Sequence, residues 1–212
     1  VTASLTPILL ATTNPAKQKA LQGLVEGLPL RCVTPQELGL NAAPEEAGDT
    51  HLDIARLKAR QWSLAGDMLA IATDGGLVVP ALGARWESRF THRFAGPAAD
   101  DDERLRRLLE LMRPYRGAER EASWVEALAV AGRGEVLASW ELTGGTGVIA
   151  ESAEGLPYVP GFWAFTVWYF PRLGKTYNQL TPQERDALGD HWSRLGALLR
   201  EFFRGYLAAR EG

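Results

Sequence analysis

An apolar run, Pro7–Thr12 (PILLAT), is followed at once by Asn14-Pro15 and an amphipathic stretch to Leu24. This junction limits the possible folds more than any other feature of the chain. A run so short and so apolar suits a strand buried on both faces. Asparagine at a helix N-cap accepts the first orphan backbone N–H groups. Proline is tolerated at the first helical position because its missing N–H would be unbonded there anyway. Leu30–Thr34 supplies a second strand-like run. Strand, helix and strand at this spacing predict a βαβ unit, and so an α/β fold.

The later chain adds strands faster than a pure βαβ series would. A loop rich in Ala, Pro and Glu leads to a helix from about Thr50 to Leu64, opened by Thr50-x-x-Asp53. Leu69–Ala72 and Leu77–Val79 read as short strands flanking Asp74-Gly75-Gly76, and Asp100-x-x-Glu103 opens a charged helix to about Met112. Ala122–Ala131 and Glu135–Leu142 flank Gly132-Arg133-Gly134, a β-hairpin signal. Thr181-Pro182-Gln183-Glu184 is a capping box, and a longer helix follows from about Asp190 to Ala208. A hairpin inside an α/β series predicts a long, twisted, mixed sheet with flanking helices and two lobes enclosing a cleft. With 212 residues and no clear linker, residues 1–212 read as a single two-lobed domain.

The net charge of −3 gives no support to a nucleic-acid backbone as partner. A small phosphate-bearing molecule needs only a few local cations and stays open. The single cysteine, Cys32, forbids an internal disulfide and sits in an apolar run, as a buried structural thiol would. No leader-like segment and no membrane-length apolar run occur, so a cytoplasmic protein without membrane contact is expected.

Several clusters have the composition of a phosphate-handling site. Thr12, Thr13, Asn14 and Lys17 stand where a strand gives way to a helix N-terminus, whose free N–H groups and dipole favour anions. The glycines of a Walker loop are missing, and an ordinary capped helix with a surface lysine explains the same residues. Glu45-Glu46 are hard oxygen ligands suited to magnesium, or a solvated acidic loop. Lys58 shares a helix face with Ile54 and is placed to point into a site, or into water. Asp74, followed by Gly75 and Gly76 at the end of an apolar strand, stands where α/β folds put ligand sites. An Asp-Gly turn is the plainer alternative. The stretch Tyr158–Tyr177 holds more rings than one strand needs, among them Phe162, Trp163 and Phe165. Base stacking, core packing and a dimer interface compete to explain it. Lys175, His191 and Arg194 complete the set as candidate phosphate or base contacts.

Taken in order, these pieces resemble the inosine/xanthosine triphosphate pyrophosphatase family. Leu10-Ala11-Thr12-Thr13-Asn14-Pro15-Ala16-Lys17 is similar to that family's LAT-x-N-x-x-K. The segment from Glu45 to Ala59 resembles EETGxTFxENAxxKA, and Ala72-Thr73-Asp74-Gly75-Gly76-Leu77 through Gly83 resembles ADDSGLxVxALGG. Arg93-Phe94-Ala95-Gly96 and Gly174-Lys175-Thr176 match its RYAG and GKT elements. The resemblance implies a magnesium-dependent enzyme, commonly dimeric, that splits a nucleoside triphosphate into monophosphate and pyrophosphate, usually on deaminated purines. Asn14, Lys17 and Lys58 would hold the phosphates. Glu46 and Asp74 would bind the metal, with Asp74 also orienting or activating the attacking water.

The departures cluster in two places. Thr73 stands where the family has the first of two adjacent acids, and Ile54 replaces an asparagine. The family's FGYD segment falls on Phe162–Phe165 or on Leu156–Val159, and neither register keeps the acid. Its Ser-His-Arg element becomes Asp190-His191-Trp192, with Arg194 as a displaced substitute. A pyrophosphohydrolase with altered base recognition is therefore expected. The competing expectations are a nucleotide-binding protein that has lost turnover and an interaction protein whose aromatic stretch is a partner surface.

Overall fold

The computed structural model describes residues 5–40 and 47–211. Glu45 and Glu46 lie outside the described residues. The chain forms two compact units. The first contains the residues up to Asp74, Glu126–Leu142 and the chain from Trp192 on. The second contains Gly75–Val125 and Thr143–His191.

In the first unit the expected βαβ element is present. β1 (Thr6–Leu10), α1 (Pro15–Leu24) and β2 (Leu30–Val33) follow one another, and β1 pairs in parallel with β2, Ile8 opposite Cys32. β1 also pairs in parallel with β3 (Leu69–Val78), Leu9 opposite Ala70. α2 (His51–Ala65) connects β2 to β3. β4 (Glu121–Gly132) and β5 (Glu135–Thr143) form the expected hairpin. Its two-residue turn, Arg133-Gly134, has both φ angles positive (52° and 77°), as the right-handed twist of a tight hairpin requires.

Strand alternation sorts the side chains of this sheet by size. On one face Ile8 and Leu10 of β1, Ile71 of β3 and Leu128 and Val130 of β4 pack with Leu21 and Leu24 of α1. Leu195, Leu199 and Phe203 of α5 (His191–Glu211) close that face at helical spacing. On the other face the strands offer mostly alanine: Ala11, Ala70, Ala72, Ala127, Ala129 and Ala131, together with Leu9. Small residues let α2 lie close, and it seats Ala55, Ala59 and Trp62 there. Asp74 has the parity of Ala70 and Ala72, so its side chain projects toward α2.

The second unit is antiparallel. The start of β4 pairs with β6 (Gly147–Ile149), β6 with β7 (Trp168–Phe170), and β7 with β8 (Lys175–Thr176). Asp100 caps α3 (Asp101–Met112) by accepting from the Glu103 N–H at 2.8 Å. Thr181 and Glu184 form the expected capping box of α4 (Pro182–Ala187). Together the described strands make an eight-stranded mixed sheet with flanking helices, as expected.

Two local expectations are corrected. The runs either side of Asp74-Gly75-Gly76 are one strand, β3, because both glycines stay extended and neither takes the positive φ of a turn. Cys32, expected to be buried, is only half-buried; it is a free thiol whose pKa is raised by burial and by the charge of Glu37. Among the described residues no helix is long and apolar enough to cross a membrane.

Candidate active site

Asp74 is the centre of a buried polar cluster in the first unit. Its residue is 9% exposed, and its two carboxylate oxygens face two side chains of one helix. His51 Nδ1 lies 2.6 Å from Oδ2, and Lys58 Nζ lies 3.7 Å from Oδ1. The helix explains the pairing: positions 51 and 58 are seven apart, two turns on the same face. Thr50 sets where that face begins, its hydroxyl accepting from the Asp53 N–H at 3.0 Å. Burial by itself would raise the Asp74 carboxyl. The hydrogen bond from His51 and the charges of Lys17 and Lys58 outweigh it and hold the group below its ordinary value. Asp74 is therefore ionised at neutral pH and can only accept, so Nδ1 of His51 carries the proton in this bond.

The α1 terminus supplies the neighbouring positive field. Asn14 Oδ1 accepts from the N–H groups of Ala16 (2.9 Å) and Lys17 (3.3 Å), so this oxygen serves as the cap. Thr12 Oγ1 accepts from the Asn14 N–H at 3.2 Å, and Thr13 is exposed. Lys17, one turn into α1, is near enough to Asp74 to act on its charge. The first unit thus gathers Thr12, Thr13, Asn14, Lys17, Lys58 and Asp74 from the sequence-derived set. It also holds Arg194, exposed on α5. Glu46 lies outside the described residues.

The remaining candidates belong to the second unit. Gly75 continues β3 as extended backbone. Phe162 is half-buried and stacks nearly parallel on Phe165, with centroids 5.4 Å apart. Trp163 is buried, its ring facing Phe94 at 5.8 Å. Lys175 pairs with Glu184 at 2.6 Å. His191 is fully buried among Trp124, Phe165, Trp168 and Tyr177, with ring centroids 5.8 to 6.4 Å from its own. Gly144 is what admits it: a Cβ there would stand 2.7 Å from His191 Nδ1. Beside it, the Tyr177 hydroxyl meets Asp190 at 2.5 Å.

A site of this kind, an ionised carboxylate between cations near a helix N-terminus, sits in a chain with clear relatives. The Ham1 family model matches residues 8–200. The chain belongs to the Ham1 family. A dITP/XTP pyrophosphatase of Yersinia pseudotuberculosis is 35% identical over 193 residues, covering 91% of this chain and 95% of that protein. Its counterpart in Escherichia coli K12 is 32% identical over 198 residues, with the same coverage. A HAM1 protein of Coxiella burnetii matches in structure with a TM-score of 0.75 at 28% identity, over 92% of this chain and 99% of that one. Against this Ham1 background, His51 is the residue that sequence reasoning missed. The available signal was a histidine following the Thr50 cap, where the family pattern quoted above carries phenylalanine.

Proposed function

We propose that this Ham1-family protein is a hydrolase acting on phosphoric anhydrides. It cleaves a nucleoside triphosphate, of the non-standard purine type such as ITP or XTP, to monophosphate and pyrophosphate. The observation that carries this reading is Asp74: a buried, ionised carboxylate on β3, held by His51 and Lys58 and acted on by Lys17. It stands in a chain whose near-full-length relatives are named dITP/XTP pyrophosphatases. Lys17 and Lys58 neutralise the triphosphate, the dipole of α1 and the hydroxyls of Thr12 and Thr13 support them, and Asp74 orients the attacking water.

Magnesium suits this donor set. Asp74 and Glu46 would hold the ion, since magnesium is bound through one or two carboxylates where a substrate brings phosphates. When bound, it would supply charge neutralisation at the phosphates. Among the described residues no cluster of three or more metal-ligating side chains occurs. Phe162, Trp163, Lys175, Gly75 and Arg194 are assigned to substrate contact, whereas His191, expected there, is enclosed by rings and serves packing instead. With Phe165 or Val159 where the family pattern ends in an acid, base discrimination is weaker than a hydrogen-bonding pocket achieves. The 212-residue chain works as one enzyme in the cytoplasm and as a homodimer.

Pyrophosphate release from a panel of purine and pyrimidine nucleoside triphosphates, with magnesium and then with chelator, tests this. Metal-dependent release that favours ITP, XTP or their deoxy forms by less than about a hundredfold over ATP and GTP is expected. A folded protein that binds nucleotide yet releases nothing from any of them would instead mark a binding protein that has abandoned catalysis.

A further inference from the structure

We propose that His51 is a positioning residue for Asp74, a clamp that fixes the plane of the carboxylate on which hydrolysis depends. The proposal rests on the reading of Asp74 given above. An aspartate's terminal torsion is broad and roughly two-fold, so the side chain does not define its own carboxylate plane. Two groups acting on different oxygens do define it. His51 Nδ1 takes Oδ2 at 2.6 Å and Lys58 Nζ stands 3.7 Å from Oδ1. Both come from one face of α2, and α2 is seated on the alanine face of the sheet through Ala55, Ala59 and Trp62. The clamp is therefore as rigid as the packing of that helix.

The two contacts are unequal, and this makes His51 the determining one. The 2.6 Å contact is a short, charge-assisted hydrogen bond with directional demands, whereas an ammonium at 3.7 Å attracts with little directional preference. The His51 residue is 5% exposed, so water does not compete for the bond. Its chemistry also fits the departures of this chain. Ile54 and Thr73 stand where the family pattern has an asparagine and an acid, and His51 brings a polar group to the same neighbourhood from the position of a phenylalanine. One oxygen committed to the protein leaves Oδ1, turned to Lys58, as the oxygen for water or metal.

The test compares His51→Phe, which keeps a ring without the donor, with His51→Asn, whose amide N–H takes the place of Nδ1. Steady-state kinetics use the nucleotide that the native protein hydrolyses fastest. His51→Phe should lower kcat about 10–100-fold, as loss of a supporting hydrogen-bond partner does. KM should stay within about threefold, because the triphosphate contacts are untouched. His51→Asn should recover most of the lost kcat. Native kcat in His51→Phe, or equal losses in both variants, overturns the proposal.

A second measurement does not need turnover, and its decisive arm uses the native protein alone. In the native protein, proton–nitrogen spectra should show an exchange-protected imidazole Nδ1–H that shifts or vanishes in Asp74→Asn. Its absence from the native spectrum overturns the clamp. Hydrolysis without that resonance sinks the clamp alone. The resonance in a protein that hydrolyses no nucleotide sinks the catalytic reading, and the positioning role with it.

Discussion

Asp101 shows how the second unit spends its charges on structure. Its Oδ2 accepts from the Tyr158 hydroxyl at 2.7 Å and from the Gly161 N–H at 3.0 Å, and its Oδ1 from Arg104 at 2.7 Å. Burial raises the Asp101 carboxyl, but the bonds from Tyr158, Gly161 and Arg104 outweigh it and leave the pKa lowered. Burial, and then the same contact, push the Tyr158 phenol up to about 12. A lowered folded pKa gives stability that is fully present above the ordinary aspartate range near pH ~3.9. It is lost as pH falls through the lowered value. The stability gap between the native protein and Asp101→Asn should thus be constant at neutral pH and close below about pH 4. Denaturant titrations at several pH values measure it, and a gap that widens in acid would contradict the assignment. At Asp74 the expectation concerns function. Asp74→Asn should lose at least about a hundredfold in kcat while still binding nucleotide, since the amide keeps the shape without the charge. Isothermal titration alongside the rate assay separates the two.

At the scale of elements, what was legible in the sequence is what local chemistry decides. Asn14-Pro15 and Asp100-x-x-Glu103 mark their helix starts, and α1 and α3 end at the expected Leu24 and Met112. Caps act within one turn, so a local reading finds them. The course of β3 escaped it, because Asp-Gly-Gly is equally able to turn or to extend, and only the flanking ladder decides. The His51–Asp74 bond escaped it too, since it joins residues 23 apart that meet only once α2 has packed on the sheet. The aromatic stretch was legible as surplus rings but not as a cage around His191. Two substitutions test the packing account. Leu199→Ala, in a fully buried position, should cost about 2–5 kcal/mol of unfolding free energy. Gly134→Ala meets both a φ of 77° and Leu64 at 2.9 Å from the new Cβ, and should cost about 1–3 kcal/mol. Equilibrium denaturation gives both values, and a neutral result at Gly134 would mean the hairpin turn relaxes to another type.

For the whole molecule, the family pattern spans nearly the full chain, from the strand–helix opening to the last helix. Each unit carries part of it: Lys17, Lys58 and Asp74 in the first, the aromatic residues and His191 in the second. The central claim is that the chain uses Asp74 to break the bond between the α- and β-phosphates. Phosphorus magnetic resonance of the products formed from ITP or XTP tests it most directly. The account predicts one pyrophosphate for each nucleoside monophosphate from the native protein, and at least about a hundredfold less of both from Asp74→Asn at the same concentration and time. Orthophosphate with a nucleoside diphosphate, or undiminished pyrophosphate from Asp74→Asn, would contradict it.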